Sequence, residues 1–152
     1  MVYVIMGIFI ALGFVNIYKG TKVVIRPGIN MMDIVALIFV AGIFLAASYF
    51  IKAQTSQSLP MFLSIFFYIG TSRWARGITK NGINVIGAAS MVISEVPFSQ
   101  IKPIAVLDDG DYLQYPIKVS GRTSIDIQRY KKDMKDDLAE VFSKNKVIFK
   151  YK

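Results

Sequence analysis

The sequence predicts a two-part membrane protein: an anchor of about three transmembrane helices, then a small α+β domain whose antiparallel rolled sheet is capped by one C-terminal helix. Three observations carry this reading. The 152 residues are 54% apolar and 18% charged, against ~45–50% and ~25% in an ordinary soluble domain. Residues 1–72 hold four basic side chains (Lys19, Lys22, Arg26, Lys52) and one acid (Asp33), while residues 73–152 hold fourteen basic and nine acidic ones. Finally, the apolar pattern changes near residue 72 from continuous runs to short alternations. Both parts are basic and share the net charge of +8.

The first span, residues 1–18 (MVYVIMGIFIALGFVNIY), is uncharged and ends at Lys19. At ~1.5 Å per residue it covers roughly 27 Å, close to the ~30 Å hydrocarbon core. It lacks the positive n-region and the A-x-A-like site of a cleaved signal peptide. The second, residues 34–51, is uncharged and bracketed by Asp33 and Lys52. Asp33 is suited to capping that helix, because a carboxylate is stabilised by the unpaired amides and dipole at a helix N-terminus; an intramembrane ion-pathway role is the other reading. Gly42, Ala46 and Ala47 supply small residues for close helix contact, within the chain or in a homo-oligomer.

The third segment, residues 59–74, starts near Ser58 and Pro60 and carries Tyr68 and Trp74 toward its far end, where aromatic rings favour the interface. It is short for a crossing, and a re-entrant helix is its alternative. Charge asymmetry favours crossing. The 19–33 connection holds Lys19, Lys22 and Arg26, the 52–58 connection only Lys52, and Arg73 and Arg76 follow the third segment. The positive-inside rule then puts the first connection and the C-terminal domain in the cytoplasm, with the N-terminus and residues 52–58 outside.

Domain limits follow: a transmembrane domain over 1–72, a cytoplasmic domain over 76–146, and a basic, aromatic tail over 147–152. Asn81-Gly82 predicts a type I′ hairpin joining residues 76–80 to 83–87, because that turn requires positive φ at both central positions. Further strands are expected over 91–96 and 101–107. The turn Asp108-Asp109-Gly110-Asp111 leads into 112–120, where Leu113, Tyr115, Ile117 and Val119 alternate with polar residues. A strand over 123–128 follows, with Ile125 and Ile127 alternating in the same way. One helix over 129–144 aligns Tyr130, Met134, Leu138, Val141 and Phe142 in an apolar stripe that must bury against the sheet.

Composition removes whole chemistries. Without Cys or His there is no disulfide, thiolate nucleophile, zinc ribbon, imidazole ligand or Ser-His-Asp triad. No phosphate-binding glycine motif is present. Asp108, Asp109 and Asp111 lack the spacing of an EF-hand, and Asp133, Asp136, Asp137 and Glu140 interleave with lysines as a solvated face does. The chain is therefore read as non-enzymatic, with no catalytic residue, cofactor or metal. The candidate membrane-surface contacts are Arg73, Arg76 and Lys80 after the third span, and Lys146, Lys150 and Lys152 in the tail. A basic side chain near anionic headgroups contributes about 1 kcal/mol. The tail can instead form a final strand or remain solvated. Nucleic acid is not an expected partner, because platforms for base stacking are missing.

The stretch Gly77-Ile78-Thr79-Lys80-Asn81-Gly82-Ile83, followed by Glu95-Val96-Pro97-Phe98-Ser99-Gln100-Ile101-Lys102, resembles the bacterial PH-like module, in which an "-NGI-" strand precedes an "I-P-aromatic-x-x-I" strand. Phe98 stands where many such modules have Trp. Hydrophobic spans followed by such a module resemble small Gram-positive membrane proteins, some linked to self-immunity against membrane-active bacteriocins. The resemblance implies a cell-membrane protein with a protein or peptide partner, and the basic clusters add the anionic bilayer surface as a second expected partner. A scaffold or accessory subunit of a membrane complex is the alternative function, and a small transporter or enzyme subunit using Asp33 a further one.

Overall fold

Glycines at positions 13 and 20 allow two helices to touch closely in the N-terminal half. In the computed structural model, which describes residues 2–29, 31–50, 55–86 and 92–151, α1 spans Val2–Gly20, α2 Met31–Phe50 and α3 Thr55–Trp74. A Cβ on Gly13 would lie against the Phe67 ring, and one on Gly20 against the Trp74 indole. The two contacts are spaced by seven residues on each helix in the same direction, so α1 and α3 run parallel. Gly13, Asn16 and Gly20 are all buried, and their i, i+3, i+7 spacing defines one helical face. Phe9–Tyr68 and Phe14–Phe67 ring contacts at 5.5 and 5.6 Å complete the seam. α2 rests only lightly on α3.

Among the described residues one helix, α1 over Tyr3–Gly20, is long and apolar enough to cross a membrane. α3 starts at Thr55, earlier than expected, and places Pro60 inside the helix. Its hydroxyls close on their own backbone: Ser64, Thr71 and Ser72 donate to the carbonyls of Met61, Phe67 and Ile69 at 2.7, 2.9 and 2.8 Å. Each hydroxyl is thereby satisfied within its own helix.

The second half is a mixed sheet domain with a helix near its C-terminus, and it is not confined to residues after 76. The connection expected to be a plain loop contains a strand, β1 (Val23–Ile25), which pairs antiparallel with β2 (Gly77–Thr79). With β3 (Gly82–Ile86) and β4 (Ile93–Pro97) it forms a sheet in the order β1-β2-β3-β4. Gly77 is fixed by this arrangement. Its φ is +132°, and a Cβ there would collide with the Ile25 carbonyl oxygen.

The β2–β3 hairpin forms as expected, but its turn is not type I′, because neither Asn81 nor Gly82 has a positive φ. Thr79 organises the turn instead: its hydroxyl accepts from the Gly82 amide at 3.1 Å and donates to Glu95 at 2.6 Å. Glycine is needed at 82 for another reason, since a Cβ there would collide with the Val96 carbonyl oxygen on β4.

The second sheet is ordered β7-β6-β5-β8, from β5 (Ile104–Asp109), β6 (Tyr112–Lys118), β7 (Ile125–Lys131) and β8 (Phe149–Tyr151). It is mixed rather than purely antiparallel, because β8 runs parallel to β5. Gly110, with φ +61°, turns β5 into β6. β6 keeps the expected alternation, with Leu113, Tyr115 and Ile117 buried, and Val119 just beyond it is buried as well.

β7 departs from expectation twice. It continues through Lys131, so α4 begins only at Lys135 and ends at Lys144. Tyr130, assigned by its spacing to the helix stripe, is an inward strand residue. The strand also turns the opposite face to the one its isoleucines suggest: Gln128 and Tyr130 are buried, whereas Ile125 and Ile127 are about half exposed. A polar network inside the domain outcompetes the two isoleucines for the interior.

Leu138 and Phe142 of α4 enter the common core with Ile78, Ile83, Val96, Val106, Tyr115 and Tyr130. Tyr115 meets Tyr130 edge-on at 5.5 Å and Phe142 at 5.6 Å. Aromatic pairs of this kind add ~0.5–1.5 kcal/mol beyond their area burial. Val147 is also buried, and the chain after it enters β8.

Candidate functional site at the helix–sheet junction

The ends of α1 and α3, the start of α2 and the connection around β1 meet at one place. Arg26, just after β1, donates to the Trp74 carbonyl at 2.9 Å and to the Gly20 carbonyl at 3.0 Å. It thus caps the C-termini of α1 and α3 together, where unpaired carbonyls and the negative end of the dipole favour a cation. Its guanidinium also stacks over the Trp74 ring, 4.2 Å from the centroid.

A second tie joins the helices to the sheets. Asn84 on β3 donates to the Ala75 carbonyl at 2.9 Å, and the Lys19 ammonium donates to the Ile93 carbonyl. Arg76 is only 7% exposed and binds both the Asp126 carboxylate at 2.5 Å and the Ile127 carbonyl at 2.7 Å. Gln128 donates to Asp126 and to the Asn84 carbonyl, each at 2.9 Å, and accepts from the Tyr130 hydroxyl at 2.6 Å. This network is what holds Asp126, Gln128 and Tyr130 inward. Burial pushes the Tyr130 phenol above its ordinary pKa; Asp126 adds to the rise and Arg76 opposes it.

Residues 26–29 then cross to the other sheet, where the Gly28 amide donates to the Arg129 carbonyl at 2.7 Å. The connection therefore straps the edge of the first sheet to β7. On β7, the Arg129 guanidinium stacks over Tyr112 and pairs with Asp109. The Asp109 carboxyl is held below the usual carboxylate range by a hydrogen bond from Gln114, with Arg129 reinforcing and desolvation opposing.

Between the strap, α2 and α3 lies a cavity of about 310 Å³. Arg26, Arg73, Arg76 and Trp74 line it together with Pro27, Ile34, Leu37 and Gly70. None of the described residues that line it is acidic.

The predicted contacts separate accordingly. Arg73 and Arg76 converge on this cavity, but Arg76 is buried in an ion pair rather than spread on a surface. Lys80 is exposed in the β2–β3 turn, Lys146 is exposed just beyond α4 with φ +57°, and Lys150 is exposed on β8. Lys152, residues 51–54 including Lys52, and residues 87–91 lie outside the described residues, as does the side chain of Asp33. Gly42 and Ala46 are exposed on α2, and a Cβ on Gly42 would meet nothing within 4 Å. Asp133, Asp136, Asp137 and Glu140 are exposed.

Sequence reasoning used Arg26 only as a topology charge and Trp74 only as an interfacial ring. It also missed the Gly13, Asn16, Gly20 face, although that spacing was open to reading. Compared with models of known protein families and with curated proteins, the chain matches none.

Proposed function

We propose that this chain is a non-enzymatic, multi-pass membrane protein that works by binding, with a PH-like sheet domain held at the cytoplasmic surface. The observation that carries the reading is the parallel packing of α1 and α3, both ending in the same sheet domain. Two parallel neighbours in a membrane need a return passage between them, and α2 supplies a helix of 20 residues for it. Lys19, Lys22, Arg26 and Arg73 all lie at the sheet end, the sign expected of a cytoplasmic face. Two sheets and one helix sharing a single core support the PH-like reading of the domain. Self-immunity against a membrane-active peptide is the specific role that the resemblance suggests. Its test is deletion of the gene: unchanged sensitivity to every bacteriocin of the producing strain overturns it.

A second reading, a scaffold or accessory subunit, is favoured by apolar surface within the sheet domain, where Ile125 and Ile127 are 49% and 48% exposed on β7. Purification of the full chain in mild detergent then recovers a stoichiometric protein partner, and Ile127→Ser reduces its recovery. A clean monomer or homo-oligomer counts against this reading.

A further inference from the structure

We infer that residues 23–29, β1 and the strap after it, make an apolar contact with the bilayer surface: Val24 and Ile29 insert at the boundary between headgroups and acyl chains of the cytoplasmic leaflet and lay the sheet domain against the membrane. The inference rests on the membrane placement proposed above and adds to it the face that touches lipid. It differs from the basic contacts expected from sequence, because it requires no anionic lipid.

The fold leaves these two side chains without a place in the interior. Ile25 packs against the common core, so its neighbour Val24 points to the opposite face of β1, where it is 62% exposed. Ile29 follows Gly28, whose amide is bound to Arg129, and at 76% it is the most exposed of the large apolar residues described. Single exposed aliphatic side chains are common on protein surfaces. What sets these two apart is their height relative to the helices. Arg26 stands between them in sequence and donates to the carbonyls of Gly20 and Trp74, the last residues of α1 and α3. The strap is thereby clamped at the level of the helix ends. Beyond the clamp, Ile29 is two residues from the start of α2 at Met31, no more than roughly 7 Å of chain.

Aromatic rings mark that level as interfacial. Tyr18 and Trp74 are exposed in the last turns of α1 and α3, where amphipathic rings favour the headgroup zone. The Lys22 ammonium lies over the Tyr18 ring, 4.4 Å from its centroid. The headgroup zone is only roughly 5–7 Å deep on each side of the hydrocarbon core, so aliphatic side chains held at the helix ends are within reach of acyl chains. Lipid already surrounds the helices at this height, whereas a protein partner would have to enter between the sheet domain and the bilayer.

The chain has no Cys, so single cysteines can carry an environment-sensitive nitrobenzoxadiazole probe. The full chain is labelled in turn as Val24→Cys, Ile29→Cys, Ile10→Cys and Ile148→Cys and placed in phosphatidylcholine nanodiscs, where both faces meet the buffer. All four native side chains are exposed, so the probe displaces no core packing. Ile10 in α1 is the lipid reference. Ile148, exposed beside β8, is the aqueous one, since β8 lies at the opposite edge of the second sheet from β7, which the strap touches. Positions 24 and 29 are expected to lose quenching by aqueous iodide and to be quenched by doxyl-labelled phosphatidylcholine, as position 10 is, with the reverse at 148. If position 24 or 29 behaves as 148 does while position 10 is quenched by lipid, the contact is overturned and the membrane placement stands. Absence of lipid quenching at position 10 overturns the placement itself. Protection of 24 and 29 from both quenchers assigns the face to a protein, a second copy of this chain included, and overturns the bilayer contact.

Discussion

Arg26 lies over the Trp74 ring at 4.2 Å while donating to the Trp74 carbonyl at 2.9 Å, so side chain and backbone of one residue are held by one guanidinium. Its other terminal nitrogen holds Gly20. The relationship locks the ends of two helices to a strand only one residue away. Positive charge alone is not sufficient for this, because the fork geometry serves two carbonyls at once.

Arg26→Gln is therefore expected to destabilise the protein by about 1–3 kcal/mol, through lost charge-assisted hydrogen bonds and stacking. Arg26→Lys should recover only part of this. Thermal unfolding of the detergent-solubilised chain, followed by Trp74 fluorescence, measures both. Unchanged midpoints would show that the cap adds no stability.

The α1–α3 seam predicts different sensitivities for glycines of the same type. Gly13→Val and Gly20→Val push a side chain into the Phe67 and Trp74 rings, whereas Gly42→Val meets open space. The first two should cost about 1–3 kcal/mol, the usual range for overpacking, and the third should be close to neutral. Because the native chain has no Cys, engineered cysteine pairs across α1 and α3 give a clean second measurement. Their cross-linking should fall in the first two variants only.

Asp126→Ala leaves the buried Arg76 guanidinium without its carboxylate and should cost roughly 3–5 kcal/mol. The side chains of this ion pair are 9% and 10% exposed. Ile125→Ser, at a half-exposed position at the start of β7, should cost little. Chemical denaturation that ranks Ile125→Ser as the more damaging would invert the assigned orientation of β7.

Stability should decline at both ends of the pH scale. The Tyr130 and Tyr115 phenols are pushed up by burial, Tyr115 with help from neighbouring Tyr151. Above pH ~10 the unfolded chain releases these protons and the native one keeps them, so stability falls by up to ~1.4 kcal/mol per pH unit for each phenol. Tyr115→Phe should flatten the alkaline limb. Asp109 has the opposite sign of shift, so its contribution is complete above the ordinary carboxylate value and is lost as pH falls through the lowered one. Asp109→Asn should flatten the acid limb, and unaltered pH profiles in both variants would contradict these assignments.

Reporter fusions at Gln57 and Lys152 test the membrane path. Three crossings place them on opposite sides. The same side for both would remove the third crossing.

The legible parts of this molecule were those where periodicity and burial agree. β6 could be read because Leu113, Tyr115 and Ile117, with Val119 just beyond the strand, alternate and all enter the core. β7 could not, because Asp126, Gln128 and Tyr130 have polar partners that reward burial, and those partners come from Arg76 and Asn84, distant in sequence. β1 was hidden for a related reason: three apolar residues between Lys22 and Arg26 become a strand only beside β2, some fifty positions later. The basic residues at the junction were visible as charges. Their convergence with Ile34, Leu37 and Gly70 depends on how three helices meet, which no local pattern encodes.

The entry of β1 into the first sheet makes the order of synthesis matter. This strand emerges early, yet the edge it covers appears only after α2 and α3 have been made. Closing so long a loop adds only slowly to the entropy cost, as the logarithm of its length, but the wait is obligatory. A fragment limited to the apparent C-terminal domain would leave the β2 edge uncovered, a surface that invites pairing with other chains. The helical half is in this sense a tether that carries part of the domain it tethers, and helix assembly and completion of the sheet become a single event.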